Sequence, residues 1–166
     1  MAENKDALEI ENKYLLKCLP KETPNEVIDI EQVYCRKNNM WERVRMSISD
    51  VYGTYYTHTI KIFISKGINR EIEKNITEAE YSTFKNTASN TVGSKILYKK
   101  RHVYNVGNYK WEIDSFEKMN YSLVIAEFEK PSKTFKVKKP KFLRNLILCN
   151  VTKNSKFSNR NLAFNL

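Results

Sequence analysis

The chain has 166 residues, of which 41% are hydrophobic and 12% aromatic, and its formal net charge is +10 at pH 7. This length predicts one domain, and the aromatic content argues against global disorder. No apolar run approaches the roughly 18–20 residues of a membrane-spanning helix, and the polar start predicts no secretory signal. The excess of basic residues is typical of proteins with a phosphate-rich partner, although a basic surface that only aids solubility gives the same count.

Alternation of polar residues with Val, Ile, Tyr, Phe and Thr predicts eight β-strands. They span residues 8–16, 28–35, 41–49, 55–64, 70–76, 94–104, 109–116 and 122–129. The connections between them are short, with a turn predicted at 105–108, so the strands favour a mainly antiparallel meander. Thr77 and Glu80 fit a capping box, which predicts a helix that begins there and runs to about Thr87.

The C-terminal part of the chain has a different composition. Residues 131–141 are rich in Lys, residues 142–151 are apolar, and residues 153–166 are polar and predicted to be partly helical. We interpret 1–166 as a single domain, with 131–166 as an appendage that closes or plugs one end of the sheet.

The polar positions of the predicted strands carry pairs of like charges. Residues two apart on a strand point to the same face, so each pair projects from one side of the sheet. The pairs are Glu9/Glu11 with Lys13, Arg43/Arg45, Glu71/Glu73, Lys99/Arg101, Glu112/Asp114 and Glu127/Glu129, and Lys61 follows Thr57 and Thr59 at the same spacing. The opposite face is largely apolar, with Ile10, Val44, Ile60, Ile62, Ile72, Ile113, Ala126 and Phe128.

An ordinary solvated face explains any single pair of this kind, but its charges are usually mixed with Ser and Thr. Here like charges repel one another on six of the eight strands. Clustered carboxylates bind hard divalent cations through oxygen, and clustered Arg and Lys bind phosphate oxygens. A face that carries both predicts a site for a metal-complexed polyphosphate.

The ordered set of these motifs resembles the CYTH, or triphosphate tunnel metalloenzyme, superfamily. The motifs are ExExK at 9–13, RxR at 43–45, TxK at 59–61, an RxxE-like strand with ExE at 70–73, KxR at 99–101, ExD at 112–114, ExE at 127–129, and a closing VT, FSN and LA at 151–152, 157–159 and 162–163. The resemblance implies a mainly β (α+β) fold: a closed eight-stranded antiparallel barrel, the tunnel, with a few helices packed outside and a C-terminal helical appendage.

The resemblance also implies roles for the charged residues. The substrate phosphates would be bound by Lys13, Arg43, Arg45, Lys61, Lys99 and Arg101. The metal, Mg²⁺ or Mn²⁺, would be held by Glu9, Glu11, Glu71, Glu73, Glu112, Asp114, Glu127 and Glu129. The catalytic carboxylates would be Glu127, Asp114 and Glu129.

The implied activity is metal-dependent hydrolysis of a triphosphate, with short bacterial tripolyphosphatases, which release diphosphate and phosphate, as the most similar type. Alternatives within the superfamily are a class IV-type adenylate cyclase, a thiamine triphosphatase and an RNA 5′-triphosphatase. An alternative of another class is a non-catalytic module that binds polyphosphate or nucleic acid.

The expected partner is a small anionic triphosphate, with no membrane, and with nucleic acid only as a 5′-triphosphate RNA substrate. Cys18, Cys35 and Cys149 are scattered and form no CxxC pair, which predicts no zinc site and a cytoplasmic location. The sequence leaves the oligomeric state open, a homodimer being one option.

Overall fold

The computed structural model describes residues 5–37, 40–66, 68–91, 94–116 and 122–164. The strands and the first helix follow one another in these residues in the order that the sequence predicts. Their bounds are β1 Lys5–Leu16, β2 Glu26–Lys37, β3 Met40–Ser49, β4 Gly53–Ser65, β5 Ile68–Ile76, α1 Glu78–Ser89, β6 Lys95–Val106, β7 Tyr109–Ser115, β8 Val124–Glu129, α2 Lys141–Arg144, β9 Ile147–Asn150 and α3 Asn159–Phe164. The capping box of α1 is present, and Gly107 has a φ of 60° in the predicted turn between β6 and β7.

Strand β1 closes the sheet into a barrel because its two halves have different partners. Residues 5–10 of β1 pair with β5, and residues 11–16 pair with β8. Around the barrel the order is β1, β5, β4, β3, β2, β6, β7 and β8, and every one of these pairings is antiparallel. The predicted closed eight-stranded barrel is therefore confirmed.

A ninth strand, β9, lies outside the barrel and is not predicted by the sequence, which shows only an apolar segment at 142–151. It pairs with residues 14–16 of β1. Its sequence, ILCN, does not alternate polar and apolar residues, so no local pattern marks it as a strand. Leu148, Cys149 and Asn150 are all exposed in the structure. The segment is a strand because its backbone pairs with β1, and not because of a local sequence pattern.

The outer face of the barrel is covered by two separate elements. Tyr81 and Ala88 of α1 pack over Val33 and Val44. Over β7 and β8, residues from the C-terminal segment, among them Phe135, Phe142 and Leu143, cover the second cluster of outward side chains, which includes Trp111, Ile113, Ala126 and Phe128. No helix in the described part of the chain is long and apolar enough to cross a membrane.

The apolar face of the strands and the helices expected outside the barrel together predict apolar side chains that lie outward under helices, and this prediction is wrong for part of β4 and β5. Ile62 is 38% exposed and Ile72 is 37% exposed. The covering elements pack over Val44 on one side and Phe128 on the other, so the outer face near Ile62 and Ile72 stays in solvent.

One end of the barrel is filled by apolar side chains and covered by α3. Leu162 and Ala163 of α3 share a cluster with Tyr34, Leu97 and Ile125. Leu97 and Ile125 lie two residues before Lys99 and Glu127, so they point to the same side of their strands as these charged residues. The division of the chain into one domain with a plug at 131–166 stays a prediction, and the contacts of α3 show where such a plug would act.

We expect Leu162→Ala to lower the free energy of unfolding by about 2–5 kcal/mol, because this side chain is only 4% exposed and its truncation leaves a cavity. The matched control is Leu148→Ala, at a side chain that is 60% exposed, with an expected change below about 0.5 kcal/mol. Urea unfolding of both variants is the measurement. Equal urea midpoints would show that α3 is not part of the cooperative structure.

Candidate active site

The predicted charged residues share the interior of the barrel. Of the fourteen, thirteen are buried or half-buried, and only Glu129 at the end of β8 is exposed. Backbone register places them side by side: Thr59 on β4 lies between Arg43 on β3 and Glu73 on β5, and Glu127 on β8 lies next to Lys13 on β1. The structure therefore gathers in one space charges that are up to 118 residues apart along the chain, from Glu9 to Glu127.

The guanidinium group of Arg101 is the centre of one network of ion pairs. Its Nε donates to Asp114 Oδ1 at 2.7 Å, and its Nη2 donates to Asp114 Oδ2 and to Glu127 Oε2, both at 2.8 Å. Its Nη1 donates to Glu112. Three carboxylates from two neighbouring strands thus converge on a single cation.

Three lysines also contact this network, and one of them is Lys110, whose Nζ lies 2.7 Å from Glu112 Oε1. Lys99 Nζ donates to Asp114 Oδ2 at 2.5 Å, and neither side chain is exposed at all. Lys13 Nζ donates to Glu127 Oε1 at 2.5 Å and lies 3.2 Å from Glu11 Oε1. The carboxylate of Glu127 is therefore held between Lys13 on one oxygen and Arg101 on the other.

A second network occupies the β3–β4–β5 side of the interior. It consists of two groups, one of Arg43, Thr59 and Glu73 and the other of Lys61, Glu9 and Glu71, and the threonine hydroxyl belongs only to the first. Its contacts are Arg43 Nη2 to Thr59 Oγ1 at 2.9 Å and to Glu73 Oε2 at 3.3 Å, Thr59 Oγ1 to Glu73 Oε2 at 2.7 Å, and Lys61 Nζ to Glu9 Oε2 at 2.5 Å and to Glu71 Oε1 at 2.9 Å.

The ion pairs outweigh the cost of burial for several of these groups. Burial raises the pKa of Glu127, but Lys13, Lys99 and Arg101 outweigh it and hold this pKa well below its usual range. Burial also opposes ionisation of Glu112, yet Arg101 and Lys110 lower its pKa to about 2. Lys99 is the exception, because burial and the neighbouring Arg101 lower its pKa to about 8 despite its ion pair with Asp114. At neutral pH the carboxylates of Glu127 and Glu112 are therefore ionised.

For Glu11 the effect of burial on the pKa outweighs that of the nearby lysine. Burial raises its pKa, and the nearby carboxylates of Glu127 and Glu9 raise it further against the effect of Lys13. Glu11 is also the Cα partner of Glu129 on β8. This part of the interior is short of positive charge.

The described residues contain no group of three or more Asp, Glu, His or Cys side chains placed to hold a metal ion as they stand. The predicted metal ligands are instead engaged with bases, such as Glu9 with Lys61 and Glu127 with Lys13. The chemistry of the donors still fits a hard divalent cation, because such ions take carboxylate oxygens. An added cation would also relieve the repulsion that the carboxylates of Glu9 and Glu127 exert on Glu11.

Arg45 differs from the other basic residues of the interior. Its Nε donates to Gln32 Oε1 at 3.0 Å, and no carboxylate in the described part of the chain forms an ion pair with it. Burial lowers its pKa, and the neighbouring Arg43 and Arg101 lower it further. Thr57 Oγ1 and Arg43 Nε are buried without a hydrogen-bond partner among the described residues. Because buried polar atoms are rarely unpaired, this corner of the interior is suited to bind an anion.

Sequence reasoning missed Gln32 and did not include Thr57 in the site. Both face the interior: Gln32 is the Cα partner of Arg45, and so is Thr57 on the other side. The available signal for Thr57 is its position two residues before Thr59. Gln32 carries no charge, so a search for charged pairs passes over it. The acids of its strand, Asp29 and Glu31, point outward, and Glu31 contacts Lys85 of α1.

Comparison with solved structures confirms the fold that the resemblance implies. The chain is similar to the inorganic triphosphatase NE1496, with a TM-score of 0.59 and 21% identity over 95% of each chain. It is also similar to a putative adenylyl cyclase, HpAC1 from Hippeastrum, whose structure is described as revealing a dominant triphosphatase activity, with a TM-score of 0.52 and 14% identity over 75% of this chain and 80% of that one. A putative adenylate cyclase from Bacillus halodurans matches with a TM-score of 0.50 and 12% identity over 84% of this chain and 97% of that one.

No family model matches the sequence, and a comparison with curated proteins finds no significant match. The structural likenesses therefore show the fold of the molecule, which is a closed antiparallel barrel shared with these solved structures.

We expect Asp114→Asn to lower the free energy of unfolding by about 3–5 kcal/mol, because it leaves Lys99 and Arg101 buried beside a neutral group. The control is Asp29→Asn, whose carboxylate is 64% exposed and lies 3.5 Å from Lys100 Nζ, with an expected change below about 1 kcal/mol. Chemical denaturation at neutral pH compares the two. A loss below 1 kcal/mol for Asp114→Asn would mean that the network around Arg101 does not stabilise the fold.

Proposed function

We propose that this protein is a divalent-metal-dependent hydrolase that cleaves a triphosphate inside the barrel, with inorganic tripolyphosphate as its preferred substrate. The observation that carries the proposal is the interior of the barrel, in which five basic and seven acidic residues of the site form ion pairs, while a sixth base, Arg45, has no carboxylate partner among the described residues. Inorganic tripolyphosphate is proposed as the preferred substrate because the chain is similar over 95% of its length to the inorganic triphosphatase NE1496.

The charge of the interior explains why metal is needed. The eight acids and six bases of the proposed site give it a formal charge of −2, which disfavours binding of all three phosphates at once, whereas two divalent cations would make it +2. The ions would be held by Glu9, Glu11, Glu127 and Glu129, with help from Glu71, Glu73, Glu112 and Asp114. A divalent cation there supplies charge neutralisation of phosphate oxygens and activation of water. We propose Mg²⁺ or Mn²⁺ for this role.

In the proposed mechanism the internal ion pairs exchange partners when substrate binds. Lys13, Arg101, Arg43 and Lys61 each contact a carboxylate now and would turn to phosphate oxygens. Lys99 and Arg45 would complete the set of cations around the phosphates. Phosphoryl transfer needs chiefly such positioning and charge stabilisation. An arginine fork is well suited to it, because it binds two oxygens at once.

The same exchange would prepare a base. Lys13 and Arg101 hold the pKa of Glu127 well below its usual range. When these cations turn to the substrate, the pKa of Glu127 rises toward its ordinary value, and its carboxylate becomes able to accept a proton from the attacking water. Asp114 and Glu129 are the other proposed catalytic carboxylates, Asp114 because it orients both Lys99 and Arg101.

The other classes of function differ in what they require of the interior. A cyclase must seat an adenine and a ribose, and no segment of the sequence identifies a base pocket. A non-catalytic polyanion-binding module gains nothing from eight inward acids. We place the enzyme in the cytoplasm, since Cys18, Cys35 and Cys149 form no disulfide in the described chain.

We expect the protein to release phosphate from tripolyphosphate with Mg²⁺ or Mn²⁺ and not with EDTA, and Glu127→Gln to lose at least about 100-fold in kcat, the typical size of an acid–base contribution. The control variant is Glu22→Gln, at an exposed position, with wild-type rates expected. The measurement is phosphate release from tripolyphosphate, ATP, thiamine triphosphate and triphosphorylated RNA. No metal-dependent turnover of any of these would overturn the proposed function, and a near-full rate for Glu127→Gln would overturn its assigned role.

We expect metal and triphosphate to stabilise the protein cooperatively. When the triphosphate binds the basic residues, it frees the carboxylates for metal, and when metal binds the carboxylates, it frees the basic residues for phosphate. Mg²⁺ alone or an imido analogue of tripolyphosphate alone should raise Tm slightly, and both together should raise it by more than the sum. Thermal melts at constant ionic strength, with sulfate in place of the analogue as control, measure this. Strictly additive shifts would contradict the proposed exchange of ion pairs.

A further inference from the structure

Three interior residues form one row across neighbouring strands. Gln32 on β2, Arg45 on β3 and Thr57 on β4 are consecutive Cα partners. Gln32 is not exposed at all, and Thr57 is 6% exposed. The row lies next to that of Tyr34, Arg43 and Thr59, which belongs to the second ion-pair network.

Gln32 orients Arg45 without neutralising it. Its Oε1 accepts a hydrogen bond from Arg45 Nε at 3.0 Å, and its Nε2 donates to the Tyr34 hydroxyl at 3.0 Å. The other basic residues of the site, Lys13, Arg43, Lys61, Lys99 and Arg101, each have a carboxylate oxygen within 3.3 Å. A glutamate at position 32 has the same shape and would pair with Arg45 as well. The amide therefore leaves the charge of Arg45 available.

Two unused polar atoms lie beside this charge. Thr57 Oγ1 and Arg43 Nε are buried and have no hydrogen-bond partner among the described residues. Thr59, on the same face of β4, instead contacts both Arg43 and Glu73. A phosphate group has several acceptor oxygens and would accept from Arg45, Arg43 and Thr57 together. A metal cation would be repelled here by Arg43 and Arg45, and no carboxylate of the described residues is paired with Arg45.

We propose that Arg45 and Thr57 form a phosphate subsite that is open before metal binds, with Thr57 as a further substrate-binding residue and Gln32 as the positioning residue of Arg45. This deepens the proposed function and rests on it, since the ligand is one phosphate of the triphosphate substrate. Binding here breaks no internal ion pair, whereas binding at the other cations does. The first phosphate therefore enters at Arg45, and the remaining cations exchange partners afterwards.

The first test measures tripolyphosphate binding in EDTA by calorimetry for wild type, Gln32→Glu and Gln32→Met. Wild type should bind, and Gln32→Glu should bind at least about tenfold more weakly, since a charged hydrogen bond to phosphate is lost. Gln32→Met removes the amide without adding charge and should lose less than Gln32→Glu. Equal losses in both variants would show that packing rather than charge is responsible, and would overturn the role of Gln32.

The second test uses Thr57→Val, which removes only the unpaired hydroxyl. We expect weaker binding of tripolyphosphate in EDTA, by about threefold or more, with no fall in Tm because no hydrogen bond is lost. Thr59→Val is the matched control for stability and should lower Tm, since Thr59 is hydrogen-bonded. Unchanged binding by Thr57→Val would overturn its place in the subsite, and this holds even if Gln32→Glu fails to fold.

A kinetic measurement with metal separates this inference from the proposed function. In an active enzyme, Gln32→Glu should raise KM for tripolyphosphate about tenfold or more and change kcat far less. Wild-type protein that binds tripolyphosphate in EDTA but never hydrolyses it would refute the hydrolase and leave the subsite standing. Wild-type protein that hydrolyses tripolyphosphate with metal but does not bind it in EDTA would refute the open subsite and leave the hydrolase standing.

Discussion

The structure depends on one electrostatic constraint: closing the barrel buries charged side chains that then need partners inside it. Moving a charge out of water costs several kcal/mol, and removing one member of a buried pair is strongly destabilising. Alternation along the strands puts Lys99 and Asp114 where neither is exposed, so each must satisfy the other. The networks around Arg101 and Arg43 are the result, and they fix side chains that would be mobile on an open sheet.

The internal ion pairs also determine how a ligand can bind. A polyanion has to displace carboxylates from the cations, and a metal has to displace cations from the carboxylates, so each favours the other. Arg45 is the exception, because Gln32 orients it through a neutral amide. Gln32 is an amide at a position where a glutamate would fit and would pair with Arg45. This single difference leaves Arg45 available to phosphate, whereas the other cations are already paired with carboxylates.

The net charge of +10 has a different meaning once the interior is separated from the surface. Of the 29 basic and 19 acidic residues, six bases and eight acids belong to the proposed site. The remaining 23 bases and 11 acids make the rest of the molecule more basic than the whole chain suggests. A positive exterior around an acidic interior draws anions toward the barrel but does not by itself hold them. The basic composition is therefore weak support for nucleic acid as a partner.

The sequence by itself determined the strands, the face of each charged pair and the helix that begins after Thr77, because alternation and capping are local patterns. It did not determine β9, whose exposed residues become a strand only by pairing with β1, nor the exposure of Ile62 and Ile72, which depends on where α1 and the C-terminal segment pack. Only the tertiary structure decided which acid meets which base across the sheet, since Arg101 and Lys13 both contact Glu127 from other strands. The tertiary structure also determined which residues surround Arg45. The unpaired hydroxyl of Thr57 and the amide of Gln32 acquire their meaning from neighbours across the sheet, and strand register is not encoded in any single segment.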